Sequence, residues 1–335
     1  MPGITLTGLM QIKAADDKKP QIAVLEGLLG RRGLSPETRD LVEHEIQSIR
    51  GGEKTERNAA YEIEFHYSAN PNVMTLHDLR IECGGRVAQI DHLIIDRLLD
   101  LWVCESKSFS GGVKVDEYGE WSGYWGRRAH GIPSPIEQNR RHVAVLEDVF
   151  AKGLVAVPKR LGFPLVLKMR PVVLVSNTGR VSRPTGRGAS RVAGLDTVIK
   201  SEQLYATISR SFDPTDIGSA LATLATSMVS AATVERLARA LAALHVPATF
   251  DWAARFGLGQ EPTVVNKVTG PEPSERGTQP IALGAPKTNA SSGGICESCG
   301  RPVSEAVIAF CRSNSRRFGG GIFCMNCQRA RARPS

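Results

Sequence analysis

The chain has 335 residues, 41% of them hydrophobic and 23% charged, enough for two or three domains with true apolar cores, which excludes a disordered chain. Its formal charge of +8, from 42 basic and 34 acidic residues, points to a polyanionic partner. The excess is local: residues 1–150 carry −5, 151–200 carry +9, 201–295 carry −1 and 296–335 carry +5. This excludes a uniformly basic, histone-like protein and makes the acidic first half the place to look for chemistry.

Met1–Pro20 has no apolar core and is interrupted by Asp16, Asp17, Lys18 and Lys19, so no secretory signal is read there and a cytoplasmic location is expected. Residues 22–50 predict two short helices, the second opened by Ser35 as N-cap with Pro36 at its first position. Residues 1–50 are thus an N-terminal helical appendage. A further helical segment runs from Gly51-Gly52 through Glu56 to about Phe65. The periodicity then changes to strands at Leu76–Cys83, Val87–Ile95 and Leu101–Lys107, an antiparallel meander with Gly84-Gly85 at its first turn. Val113–Val115 and Trp121–Trp125 predict a hairpin about Gly119. Ser134-Pro135-Ile136-Glu137 reads as a capping box opening a helix to about Phe150. Arg170–Ser176 is an apolar run suited to a buried strand of the same sheet.

Residues 178–192 predict an exposed basic loop, in which Arg180, Arg183, Arg187 and Arg191 are candidate phosphate contacts. Helices are expected at 201–211 and 215–247. The uncharged run Ile217–Val234 is 18 residues long but holds Gly218, six hydroxyl residues and much alanine, which reads as a packed helix and not a membrane span. The helical extension covers 206–256, a Pro/Gly/Ser/Thr-rich flexible linker 257–293, and a last module 294–335.

If Val87–Ile95 and Leu101–Lys107 are neighbouring strands, strict alternation groups Asp91 with Gln89 and Leu93, while Glu105 and Lys107 project together from the second strand. Charges at the end of a buried strand are costly unless paired or bound to metal. Asp91 and Glu105 offer the hard oxygens that Mg²⁺ (or Mn²⁺) takes, and Lys107 can help orient or deprotonate an attacking water. His92 is expected on the opposite face, as a core or supporting histidine.

Taken in order, Gly52 with Glu56, Leu76-His77-Asp78-Leu79, Ala88-Gln89-Ile90-Asp91-His92-Leu93-Ile94-Ile95, Val103-Cys104-Glu105-Ser106-Lys107 with Gly111-Gly112, and Pro135 with Gln138 resemble the nuclease-related domain, NERD, a branch of the PD-(D/E)XK nuclease superfamily. The resemblance covers about residues 51–205. It implies an α/β, restriction-endonuclease-like core, a mixed central sheet flanked by helices with a divalent metal at one end. It matches Glu56 to the acidic residue of the first helix, with Glu53 its nearest rival. Asp91, Glu105 and Lys107 match the catalytic core, and Gln138 the glutamine near the site. Ile90 stands where the superfamily name has proline. The implied activity is hydrolysis of phosphodiesters in nucleic acid, DNA ahead of RNA. The competing reading is a catalytically inactive scaffold that binds nucleic acid or assembles complexes, with the three charges as a buried ion-pair network. A protein partner or oligomer is left open, and no membrane is implied.

Cys296-x-x-Cys299 and Cys324-x-x-Cys327, with 24 residues between them, have the spacing of a closed structural Zn²⁺ site. Gly300 suits the left-handed backbone after the first pair, and Cys311 is expected to be packed. Arg316 and Arg317 are candidate nucleic-acid contacts in this basic module.

Overall fold

In the computed structural model three long strands, their turns and two helices make the frame. The structure describes residues 10–109, 111–125, 128–211, 228–259, 294–303, 305–324 and 327–328. The chain divides into two compact units, Met1–Thr263 and Val264–Ser335.

In the first unit β1 (Gln11–Lys13), β2 (Val73–Cys83), β3 (Arg86–Asp96) and β4 (Asp100–Lys107) lie side by side. After a small hairpin of β8 (Lys159–Arg160) with β9 (Phe163–Pro164), β10 (Lys168–Val175) and β12 (Val198–Lys200) complete the six-stranded order β1-β2-β3-β4-β10-β12. β2, β3 and β4 are antiparallel neighbours, whereas β1 pairs with β2, β10 with β4 and β12 with β10 in parallel, so the sheet is mixed. The β2–β3 turn needs left-handed backbone twice, and Gly84 and Gly85 supply it at φ 59° and 73°, the pattern of a two-residue hairpin turn. The run Arg170–Ser176 joins this sheet as expected, through β10.

Helices cover both faces. α2 (Pro36–Tyr67) brings Ala59, Ile63 and Tyr67 onto Ile94, Trp102, Cys104, Val172 and Leu174. α3 (Pro135–Ala151) brings Val145, Leu146 and Val149 onto Leu79, Ile90, Leu93, Leu101 and Val103, a cluster shared with the helix Ala231–Ala242. The Ser134 hydroxyl accepts from the Glu137 N–H as a capping box requires, but the Glu137 carboxylate pairs with Arg140.

The two helical segments expected on either side of Gly51-Gly52 are one helix of 32 residues, and α1 is Lys19–Leu29. Each interior glycine costs about 1 kcal/mol relative to alanine. Packing on both sides outweighs this: Val42 and Ile46 sit with Ile22, Leu25, Leu28 and Trp252, while Ala59 and Ile63 sit on the sheet.

A second sheet was only half foreseen. Its hairpin, β5 (Val113–Val115) with β6 (Trp121–Trp125), turns at Gly119, but β7 (Arg128–Ile132) and β11 (Val181–Ser182) extend it to the order β11-β5-β6-β7. The expected basic loop therefore begins with a strand, and a 3-10 turn follows at Gly186–Arg191. α4 (Leu204–Ser211) agrees with the helix expected at 201–211. Of the helix expected at 215–247, residues 231–242 are helical and 215–227 lie outside the described residues, as does the linker from 260 to 293. No described helix is long and apolar enough to cross a membrane.

In the second unit a short antiparallel pair, Gly294–Ile295 with Pro302–Val303, precedes helices Glu305–Ser313 and Ser315–Phe318. Its apolar cluster is small: Cys296, Val303, Cys311, Phe318 and Phe323 are the buried members.

Candidate active site and metal centre

The β2–β3 ladder pairs His77 with His92 and Leu79 with Ile90, leaving Asp78 and Asp91 opposite each other but outside it. Asp78 has a left-handed backbone, φ 53°, a conformation aspartate tolerates better than most residues. The alternation slips there. Leu76 and Leu79 lie in one core cluster, and so do Ile90 and Leu93. Strict alternation about Asp91 therefore does not hold: Leu93 turns into the α3 core, and Asp91 is left at the fault.

On the other side, the β3–β4 ladder ends at His92 with Cys104. Beyond it the Ser106 N–H donates to Asp91 Oδ2 at 2.6 Å. Glu105, 2% exposed, projects toward α3, and Lys107 Nζ lies 2.6 Å from Glu105 Oε1. Burial, then the charges of Glu105 and Glu56, hold the Asp91 carboxyl well above the usual range. Glu56 is also raised, by burial first, with Lys18, Asp78, Glu105 and Lys107 as its charged neighbours. Glu53 pairs with Arg57 at 2.8 Å and lines the same cavity as Glu56. Three carboxylates and a lysine, from α2, β3 and β4, thus feel one another.

A cavity of about 250 Å³ opens beside them, lined by Glu56, Asp91, His77 and His92 and roofed by Asp16, Asp17 and Lys18. Lys18 Nζ bonds Asp78 Oδ2 at 2.5 Å, and Gln89 donates to Asp78 Oδ1 at 2.9 Å. Burial lowers the Lys18 ammonium, but Asp78, Glu56 and Asp16 outweigh it and the net shift is upward. Lys18 and Asp78 were missed in their site role. Lys18 was read only as an interruption of an apolar run, and Asp78 sat unassigned in Leu76-His77-Asp78-Leu79.

Gln138 lies half-buried on the first turn of α3. One turn further along the same helix face, His142 Nδ1 comes within 3.4 Å of Glu105 Oε2 without hydrogen-bond alignment. Asn139 Nδ2 donates to Val103 O and Val172 O at 2.8 and 3.0 Å, joining β4 to β10 beside Pro171, which has no N–H to give. His92 is buried but lines the same cavity as Asp91, so the two do not point to opposite faces as strict alternation predicts. Gly111 cannot carry a side chain, since a Cβ there would meet Tyr124 O at 2.0 Å.

These residues fit a hard cation. Glu105 Oε2 is buried with no hydrogen-bond partner among the described residues, and an anionic oxygen in that state calls for a cation.

Among the described residues, Cys296, Cys299, Cys324 and Cys327 are the set of ligating side chains whose donor atoms all lie within 4.8 Å of one another. Gly300, at φ 68°, turns the first pair, and its N–H donates to Cys296 O. N–H groups of Cys324, Ser298 and Cys299 hold the Cys296 thiol down to about 6, which favours the thiolate a soft metal takes. Cys311 is not in this set; it is buried, accepting from Phe323 N and Gln328 Nε2 at 3.4 and 3.2 Å.

Of the arginine candidates, Arg180, Arg183 and Arg191 are exposed. Arg183 also donates to Val198 O at 2.6 Å, and Arg191 lies 3.9 Å from Glu117. The side chains of Arg187, Arg316 and Arg317 lie outside the described residues.

No curated protein and no solved structure matches this chain. The model of the nuclease-related domain family, NERD, matches residues 51–176, the stretch that holds Glu56, Asp91, Glu105, Lys107 and Gln138, so this chain carries a NERD-family domain.

Proposed function

We propose that the protein is a metal-dependent nuclease of the PD-(D/E)XK type that hydrolyses phosphodiester bonds, in DNA ahead of RNA. The observation that carries this reading is the end of the β3–β4 ladder, where the Ser106 peptide holds Asp91 and the half-satisfied Glu105 lies beside Lys107. Asp91 and Glu105 would hold Mg²⁺ or Mn²⁺, with Glu56 beside them. When bound, such an ion polarises a phosphoryl oxygen and makes water a better nucleophile.

The chain's own residues do the rest. Lys107, a third exposed and held on Glu105, orients the attacking water and balances charge gathering on phosphate. His142 buttresses Glu105 from the α3 side. Zn²⁺ held by the four cysteines would be structural, because four thiolates leave no open position. The basic second unit would lengthen residence on nucleic acid by tethering a second weak binder.

The test is Mg²⁺-dependent cleavage of single-stranded, duplex and branched DNA and RNA by the full chain, with Glu105→Ala and Lys107→Ala. Loss of about 100-fold or more in both variants is expected. Equal trace activity in all three proteins overturns the proposal. Strong, salt-dependent binding without cleavage in Mg²⁺ or Mn²⁺ would instead establish the non-catalytic scaffold.

A further inference from the structure

A line of polar side chains crosses the sheet from α2, beside the cavity that His77 and His92 help to line. Glu64 of α2 accepts from Thr75 Oγ1 at 2.7 Å, and its Oε1 lies 2.9 Å from His77 Nε2 of β2. His77 Nδ1 lies 2.8 Å from His92 Nδ1 of β3, and His92 Nε2 lies 3.0 Å from Ser106 Oγ of β4. Both rings are 1% exposed, and His92 stands opposite Cys104 in the β3–β4 ladder.

A carboxylate can only accept, so His77 Nε2 donates to Glu64. Burial holds the His92 ring neutral, so one of its nitrogens donates and the other accepts, and both have a partner, His77 Nδ1 on one side and the Ser106 hydroxyl on the other. Every group in the line is satisfied.

Such a network is harder to build than an apolar filling, and it ends at a telling place. Ser106 stands between Glu105 and Lys107. Its peptide N–H lies beyond the β3–β4 ladder and is the donor to Asp91. Whatever fixes Ser106 therefore fixes Asp91 relative to Glu105.

We infer that Glu64, His77, His92 and Ser106 are positioning residues, a hydrogen-bonded chain running from the surface of α2 to the Ser106 peptide that holds Asp91 where it can share a cation with Glu105. The inference rests on the proposed divalent-cation site. None of the four needs to touch substrate, and tolerances at such sites are about half an ångström.

The test is Mn²⁺ binding to the zinc-loaded full chain, followed by the spin-resonance signal of free Mn²⁺, for wild type, Asp91→Asn, Ser106→Ala and Ser106→Thr. Binding in the wild type is expected to depend on Asp91. Ser106→Ala should weaken it about tenfold or more, the usual cost of losing a support behind a ligand, and Ser106→Thr, which keeps the hydroxyl, should restore it. Unchanged affinity in Ser106→Ala overturns the positioning chain while leaving the cation site standing, and equal weakening in Ala and Thr does the same. Binding indifferent to Asp91→Asn overturns the cation site and this inference with it. If Ser106→Ala fails to fold, Glu64→Ala at the far, partly exposed end carries the test. Weaker Mn²⁺ binding is expected there too, and unchanged binding overturns the chain.

Discussion

The two candidate metal centres are built in opposite ways. In the first unit the ligating oxygens sit on strands and a helix already fixed by apolar clusters on both faces of a six-stranded sheet. Burial first, and then the charge of their neighbours, raises the carboxyls of Asp91 and Glu56, a cost that the fold bears. In the second unit the thiols gather around a cluster in which, among the described residues, five are buried, one of them Cys296 itself. The difference teaches which centre is a passenger of its fold and which is part of it. Oxygen ligands on a finished scaffold can exchange an ion, while a metal on four sulfurs would hold a small module together.

The largest expected effect would break this comparison if it failed. Cys296→Ser, or chelation of zinc, should unfold the second unit and leave the first intact. Amide spectra of the full chain should lose the dispersed signals of residues such as Val303 and Phe323 while those of β2–β4 persist. If the second unit keeps its signals without metal, its small core suffices and the zinc reading is wrong.

How much of this was legible in the sequence follows the same division. The four cysteines could be read from spacing alone, because CxxC is a local device. Asp91, Glu105 and Lys107 could be singled out because β3 and β4 are long strands near each other in the chain. The slip at Asp78 could not be, since no periodicity argument anticipates a left-handed aspartate within a strand, and strict alternation misplaced Leu93. Lys18, Glu64 and His142 reach the site region from distant parts of the chain, and nothing local marks such a residue. The continuity of α2 was hidden for another reason: two adjacent glycines look like a boundary unless the packing on either side is known.

A second prediction sharpens the claim that buried carboxylates set the first unit's behaviour. At the far end of β3, Asp96 is 2% exposed. Burial and then the charge of Asp100 push its carboxyl up to about 6, against bonds from Leu98 N, Asp100 N and Trp102 Nε1. A carboxyl with a folded value near 6 and an unfolded value near 4 binds its proton more tightly in the fold. Its favourable contribution is therefore complete below about pH 4 and is lost as the pH rises through about 6, a difference of about 3 kcal/mol. Asn in its place still accepts from Leu98 N and Asp100 N but does not titrate. Urea unfolding between pH 4 and 7 should show the Asp96→Asn variant losing less stability than wild type as pH rises. Parallel curves would mean that Asp96 is already ionised at pH 4.

The smallest expected effect asks which unit meets phosphate. Arg180 is exposed on the approach to β11, and Arg183 is exposed but already gives one guanidinium nitrogen to Val198 O. A contact to phosphate releases condensed cations, so each arginine in use adds about one to the slope of log affinity against log salt. Arg180→Ala should lower that slope by about one, and Arg183→Ala by less, since part of its donor capacity is spent inside the protein. Arg316→Ala with Arg317→Ala provides the counterpart in the second unit. If only the Arg180 change moves the slope, the first unit carries both the chemistry and the grip, and the cysteine module serves another contact. If only the paired change moves it, the two units divide the work, with anion binding placed where the fold depends on metal.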